Sequence, residues 1–328
     1  MSVRRPSPVR RTLVIALGLA ALAAGPMVEA GCATSGPECT RGSDCATGTC
    51  NAAGRCVPGE EVDGSTPDGG SPVDADGGVT PVTDGAVPDV IVPDGGCIPN
   101  KDFRILREEV PLAAGLRATF KVARDADVST AGTPGPNDTR EWDFSGDLTG
   151  DVTTLVETQK ISDKWFKNDF ATATYATKLS ETSALLGVFE ITPSALKLRG
   201  VVSPDEGISR TNVSYSPPVD VLAFPLEPQK TWSTNASVSG LVNGFFTAYS
   251  EKYDSQVDAK GTLKTPLGTF TVLRVRTTLT KTVGVLVTTI RSFAWVSECY
   301  GTVATATSDD NETTPEFTRA AEIRRIAR

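Results

Sequence analysis

Alternation is the feature that most limits how this chain can fold. In residues 116–123, "LRATFKVA", Leu116, Ala118, Phe120 and Val122 fall on one side of an extended strand, with Arg117, Thr119 and Lys121 on the other. Over residues 252–260, Tyr253, Val257 and Ala259 alternate with Asp254, Gln256 and Asp258. A period of two sends successive side chains to opposite faces of a sheet, whereas a helix repeats its apolar residues three and four apart. "GTFTVLRVRTTLT" and "GVLVTTIRSFAWV" continue as long Thr- and Val-rich strands, and Pro and Gly turns separate the runs. "DKWFKNDFATATYA" (163–176) has room for a helical turn or two, but no ten-residue amphipathic helix stands out. Residues 97–328 are therefore expected to form one all-β unit, a single antiparallel sheet domain built as a curved half-barrel or sandwich-like. That length suffices for one substantial core.

Residues 57–96 cannot join that core. They hold no aromatic residue, no Lys and no Arg, and they carry nine carboxylates in imperfect Pro-Asp-Gly units. Such a segment has too little apolar surface to offset its ordering entropy, so it reads as a disordered, self-repelling linker. Its r.m.s. span is roughly 35 Å. "DADGG" crowds carboxylates as a calcium loop does, but Pro keeps interrupting the register that six or more converging oxygens need. The linker's nine carboxylates account for the whole acid excess behind the net charge of −8, and the remainder is close to neutral, which argues against nucleic acid as a partner. Arg319, Arg324, Arg325 and Arg328 make a small basic tail, expected to be the wet face of a final strand.

Before the linker, Cys39, Cys45, Cys50 and Cys56 lie in a stretch with no large apolar side chain. Nothing but cross-linking could hold it, and disulfides are expected, with three pairings open. A zinc site is disfavoured because the chain has no C-x-x-C knuckle and no histidine. The first residues read as an export signal: Arg4, Arg5, Arg10 and Arg11 precede the apolar run "LVIALGLAALAA", which is too short to span a bilayer. Ala30-Gly31-Cys32 resembles the end of a bacterial lipobox, in which Cys32 would be acylated. Glu29 stands where an apolar residue is usual, and Val28-Glu29-Ala30 offers a competing cut before Gly31 that would release a soluble chain. Cysteine parity favours acylation. Removing Cys32 from the seven leaves the cluster of four and a distant pair, Cys97 and Cys299. The expected layout is a signal at 1–31, a lipid-anchor segment and cysteine-rich knot at 32–56, a linker at 57–96 and the β domain at 97–328.

Three resemblances enter here. The "DC-x2-G-x-C" core of the knot resembles the cysteine-rich motif in the N-terminal region of Dickkopf proteins, which implies a compact extracellular module and carries no catalytic residue across. "NDTREWDFSGDL", "LAFPLEPQKTWS", "TPLGTFTVLRVR" and "FAWVSECYGTVA" follow in the order seen in an uncharacterised β-rich domain of exported bacterial proteins. The second half is similar to the half-barrels of periplasmic lipoprotein carriers. These resemblances imply a fold and an envelope location, with the outer membrane as the expected anchorage. Within the motifs, Pro266 and Gly268 should make a tight turn that aims Phe270 into the core, and Trp142, Trp232 and Trp295 should pack within strands. A Cys97–Cys299 disulfide would tie the start of the domain to a late strand.

Catalytic routes are few. Without histidine, Ser-His-Asp triads, Cys-His dyads and HExxH sites are excluded. "SALK" (194–197) fits S-x-x-K, but Ser194 and Lys197 would sit on opposite strand faces and the partner motifs are missing. Glu141, Asp143, Asp147 and Asp151 cluster as a glycosidase pair requires, although such spacing more often marks turns. No catalytic residue, metal or cofactor is assigned. The expectation is a lipid-anchored, non-enzymatic binding module for an apolar ligand or an envelope protein partner. A structural or scaffolding surface protein is the alternative, and a carboxylate glycosidase a weaker one.

Overall fold

The structure, a computed structural model, describes residues 97–328 together with the backbone of two short strands nearer the N-terminus. Those two, β1 (Thr49–Cys50) and β2 (Cys56–Val57), pair antiparallel with Cys50 opposite Cys56. The signal, Cys32, Cys39, Cys45 and residues 58–96 lie outside the described residues, as do the side chains of Cys50 and Cys56.

Fourteen strands make up the main sheet. In chain order they are β3 (Arg117–Asp127), β4 (Thr133–Pro134), β5 (Arg140–Asp143), β6 (Val152–Lys160), β7 (Tyr175–Ser180), β8 (Ser183–Ile191) and β9 (Ala195–Val202). Then follow β10 (Asn212–Ala223), β11 (Thr231–Val242), β12 (Phe245–Lys264), β13 (Thr269–Val283), β14 (Leu286–Ser297), β15 (Gly301–Thr307) and β16 (Arg319–Ile326). The expected all-β, single antiparallel sheet is present, and its curvature runs to completion. From β6 to β16 every strand pairs with its chain neighbours, and β3 pairs with both β16 and β6. The result is a closed barrel of 12 strands. Closure removes the edges that an open sheet would expose.

Hairpin chemistry sets the meander. Asn243 and Gly244, both at positive φ, link β11 to β12 as an Asn-Gly turn does. Between β12 and β13 the Pro266–Gly268 turn forms as expected, with Thr265 N donating to Gly268 O at 2.8 Å and Phe270 buried.

β12 is the longest strand, and it changes partners along its length. Its first half pairs with β11, and its last residues pair in parallel with β5, which lies outside the barrel. A bulge between Val257 and Ala259 makes the change possible. Strict alternation therefore fails here. Tyr253 and Val257 face one core while Ala259 packs against another, and Asp258 is buried against Arg274 instead of facing water. Gly261 is required because a Cβ there would lie 1.8 Å from Arg140 O.

Two apolar clusters occupy opposite faces of the wall. The first draws Phe189, Leu198, Tyr215, Val238, Val275 and Ile290 from strands on facing sides, so it lies within the barrel. The second, with Trp142, Phe144, Phe293, Trp295 and Phe317, packs β5 and its flanking loops onto the outside of β13–β16. Trp142 meets Trp295 edge-on at 5.8 Å. A third, smaller cluster seats Phe166, from the expected turn of helix at Trp165–Asn168, and Phe170, just after it, on the outside of β8.

Elsewhere the outer surface is wet. Ser233, Asn235, Ser237 and Ser239 line the exposed face of β11. A barrel wall set in lipid needs an apolar band at such positions.

Candidate functional site

Interiors of eight-stranded barrels are just filled by side chains, so a wall of twelve strands leaves room to spare. Here the spare space is a cleft of about 180 Å³ at the barrel end where the chain enters. The entering segment forms its roof. Cys97 is disulfide-bonded to Cys299 in the β14–β15 turn, as the cysteine count implied, and Cys299 N donates to Glu109 O at 2.7 Å. Arg107 then bridges to Val110 O at 3.2 Å, which holds Val110, Pro111 and Leu112 over the opening.

Beneath this roof the lining is mainly apolar. Phe120 of β3 and Val156 of β6 face Phe189, Leu196 and Leu222 of β8–β10. Tyr175 stacks on Phe189 at 5.4 Å, and burial raises its phenol far above the ordinary value, so it stays neutral. A neighbouring crevice of about 190 Å³ shares Pro111, Phe120, Val156, Tyr175 and Tyr300 with the cleft and reaches Cys299 and Ile326.

The side wall beside the cleft is incompletely paired. β6 and β7 register only through Thr158, Gln159 and Lys160 opposite Thr177, Ala176 and Tyr175. Beyond these pairs, residues 152–157 are in backbone register only with β3 and residues 178–180 only with β8, with Thr177 Oγ1 donating to Glu157 O at 3.0 Å across the parting. Side chains from β16 substitute for the missing strand partner. Arg324 Nη2 donates to Leu179 O at 2.8 Å, and Ser180 Oγ donates to Glu322 Oε2 at 2.9 Å. Arg324 also donates to Glu322 Oε1 at 2.9 Å.

The expected solvated tail holds for Arg319 and Arg328, which are exposed, and fails for the two arginines between them. Arg324 is largely buried facing the barrel interior, and Arg325 is fully buried on the outside, bonded to Asp151 and to Gly146 O. Partners on both faces of the final strand leave Arg324 and Arg325 little contact with water.

The inward face of β15 and β16 is polar where that of β8–β11 is apolar. Outward Ala304, Ala306 and Ile323 leave Thr305, Thr307, Glu322 and Arg324 pointing in. Thr305 Oγ1 and Thr307 Oγ1 are buried with no hydrogen-bond partner among the described residues. Leaving such a group unsatisfied costs about 1–3 kcal/mol.

A second inward polar group lies further along the barrel. Glu251 is fully buried, its Oε2 accepts from the Tyr253 hydroxyl, and its Oε1 has no partner. Burial raises its pKa to about 7, opposed by hydrogen bonds from Tyr253 and Tyr215 and by the charge of Lys281.

No protein-family model, curated protein or solved structure matches this chain. The resemblances drawn from its motifs stand on those motifs alone.

The carboxylates picked out in the sequence meet only in part. Glu141, Asp143 and Asp147 line a separate cleft of about 380 Å³ outside the barrel, while Asp151 is taken by Arg325. A hydrogen bond from Ser145 holds Asp143 below the usual carboxylate range, and Lys121 does the same for Asp147. Neither therefore stores the proton that a glycosidase acid must deliver. Lys197 of the S-x-x-K match is bonded to Asp220, and Ser194 sits in the turn before β9, where its carbonyl accepts from Phe224 N. Among the described residues no group of His, Cys, Asp or Glu is placed to hold a metal. Trp142 and Trp295 are core, and Trp232 is partly buried with its Nε1 donating to Asp220 O at 2.9 Å.

Sequence reasoning missed Phe120, Val156, Lys178, Thr305 and Arg324 as one site. They come from five strands, and no local motif joins them.

Proposed function

We propose that the barrel is a non-enzymatic binding module that takes an apolar ligand into the cleft roofed by Val110, Pro111 and Leu112. The observation that carries this reading is that the barrel closes but does not fill. An apolar cleft remains beside the stretch where β6 and β7 part. Binding sites of this kind are concave, mostly apolar, and carry a few placed polar groups. The test is organic extraction of the protein purified from its native host, followed by mass spectrometry, with displacement of a fluorescent apolar probe as a second readout. A reproducible co-purified apolar ligand supports the reading. A chain that yields none, and that binds no probe, overturns it.

The same proposal places the barrel at the cell envelope, held by an acyl group on Cys32 through the acidic linker. An intact mass for an unmodified chain starting at Gly31 would remove the anchor.

A docking or scaffolding role is the second reading. It is favoured by the opposite end of the barrel, where Phe245 and Phe246 are 66% and 76% exposed on one hairpin and Leu286 is 65% exposed on another. A photo-crosslinker at Val285 should then capture one defined envelope protein in intact cells, and Phe245→Ser with Phe246→Ser should abolish the capture.

A further inference from the structure

One edge of β6 goes unused by the barrel. Thr158 N donates to Leu116 O at 2.9 Å, so the main-chain groups of Thr158 face β3, while Glu157 O accepts from Thr177 Oγ1 on the opposite edge. Successive residues of a strand aim their N–H and C=O groups at alternate edges. Those of Thr154 and Val156 therefore face β3, and those of Thr153 and Leu155 face the parting from β7. Among the described residues nothing bonds to Thr153 or Leu155 on that edge. Natural sheets blunt a free edge with Pro, Lys or a covering loop. Residues 152–156 instead read Val-Thr-Thr-Leu-Val, without Pro or charge, and Val152 and Leu155 are 49% and 53% exposed. The cleft opens at the same parting, since Val156 lines it from β6 and Thr177 from β7.

We infer that the ligand is an extended peptide segment of a partner protein, which adds a strand to β6 at Thr153 and Leu155 and sends an apolar side chain into the cleft beside Val156. This rests on the reading of the cleft as a ligand site. The main chain selects the partner. Each of the two residues offers one donor and one acceptor, repeating about 7 Å along the strand, and another extended backbone carries the same repeat. Side chains opposite one another on adjacent strands point to the same face, so the peptide residue opposite Val156 enters the cleft with it. The enclosed space is divided into parts of about 180 and 190 Å³. Each is smaller than the roughly 300–1,000 Å³ that encloses a whole small molecule, and suits a single apolar side chain of a chain held elsewhere. β6 and β7 stay joined at residues 158–160, so the parting is a wedge with β7 on its far side. A free strand fits such a wedge, whereas β6 of a second copy would carry its own β3 into β7.

Amide hydrogen exchange of the full-length chain, read by NMR, is the first test. Thr153 and Leu155 should exchange freely while Thr154 and Val156 between and beside them are protected. Equal protection of all four in the dilute chain means that the edge is already covered, and overturns the inference. Protection of Thr153 and Leu155 that appears only as protein concentration rises identifies a second copy on the edge, and overturns the partner peptide. A displayed library of random heptapeptides is then selected on the full-length chain and the tightest binder is synthesised. It should protect Thr153 and Leu155 and displace the fluorescent apolar probe from the cleft. N-methylation at alternate peptide residues should cost at least about tenfold in affinity, with little cost at the residues between. A chain that binds the probe but selects no peptide, or a peptide indifferent to N-methylation, overturns strand addition and leaves the cleft standing. A peptide that protects both amides without displacing the bound probe overturns the insertion into the cleft.

Leu155→Pro supplies the second measurement. It removes the N–H that faces the parting and takes no donor from the β3 ladder, a position where sheets accept Pro. The variant should keep its affinity for the apolar probe and lose at least about tenfold for the peptide. Unchanged peptide affinity in a folded Leu155→Pro chain removes β6 from the site. The N-methylated peptides are measured on the parent chain, so they decide the matter even where Leu155→Pro does not fold.

Discussion

The Arg274 network on the outer face and the polar groups inside the barrel treat burial in opposite ways, although the outer face also leaves Trp295 Nε1 and Arg325 Nε without partners among the described residues. On the outer face Arg274 is enclosed by the second apolar cluster, and its guanidinium is fully engaged. Its Nε and Nη2 donate to Asp258 at 2.9 Å, while Nη1 and Nη2 reach Glu316 and Nη1 reaches Thr130 O. Phe293 lies under it at 4.3 Å. On the inner face Glu251, Thr305 and Thr307 are equally buried, and each keeps an atom without a partner. The outer arrangement closes β5 and the loop bearing Glu316 onto the barrel. The inner one leaves hydrogen-bonding capacity unspent, and of its three groups Thr305 lines the cleft. Satisfied networks mark construction, and unsatisfied groups that line a cleft mark where something else is meant to sit.

Breaking the outer network should have the largest effect. Arg274→Met leaves Asp258 only Arg276 at 3.8 Å and Glu316 only the Thr130 hydroxyl, and should destabilise by about 3–5 kcal/mol, measured by denaturant unfolding. Reducing Cys97–Cys299 comes next. The bond spans 202 residues, and loop-closure entropy sets an upper figure of about 4–5 kcal/mol. The cleft roof should loosen with it, so probe binding should fall before the barrel unfolds.

The inner face should respond with the opposite sign. Glu251 is protonated in both folded and unfolded chains below pH 4.5. As pH rises from there toward 7, the unfolded chain releases the proton and the folded chain keeps it, so stability falls until the folded group has ionised. The full loss is about 3 kcal/mol, reached above pH 7. Glu251→Gln should flatten this slope and stabilise the protein at pH 8 more than at pH 4. Tyr215, Tyr249, Tyr253 and Lys281 share the pocket and limit the change. Thr307→Val is the smallest, a gain of up to about 1 kcal/mol from removing an unsatisfied hydroxyl. A loss of stability in either inner variant would erase the contrast between the faces.

How far the sequence exposed this follows from the range of each interaction. Strand identity is local, so β13 and β14 were legible from their Thr- and Val-rich alternation, and the 265–268 turn from its Pro and Gly. The Cys97–Cys299 bond was legible because parity is a count over the whole chain. Closure was not legible, because it depends on β3 meeting β16 about two hundred residues later. The bulge at Val257 left no mark that alternation could register, so Asp258 read as solvent-facing. Arg325 and Arg324 read as a wet tail for a related reason. Their burial is produced by Asp151 and Leu179, which the topology brings in from far along the chain. The cleft had the same defect, since each of its strands contributes one or two ordinary residues.

The disulfide at the point of attachment also decides how the domain bears load. A pull on the linker reaches Cys97 and passes directly to Cys299, so residues 98–298 stay outside the line of force. Stretched between its two ends, the oxidised chain can release only β15, β16 and their connections, roughly 100 Å of extension, against roughly 800 Å after reduction. Redox state therefore sets the mechanical reach of the barrel.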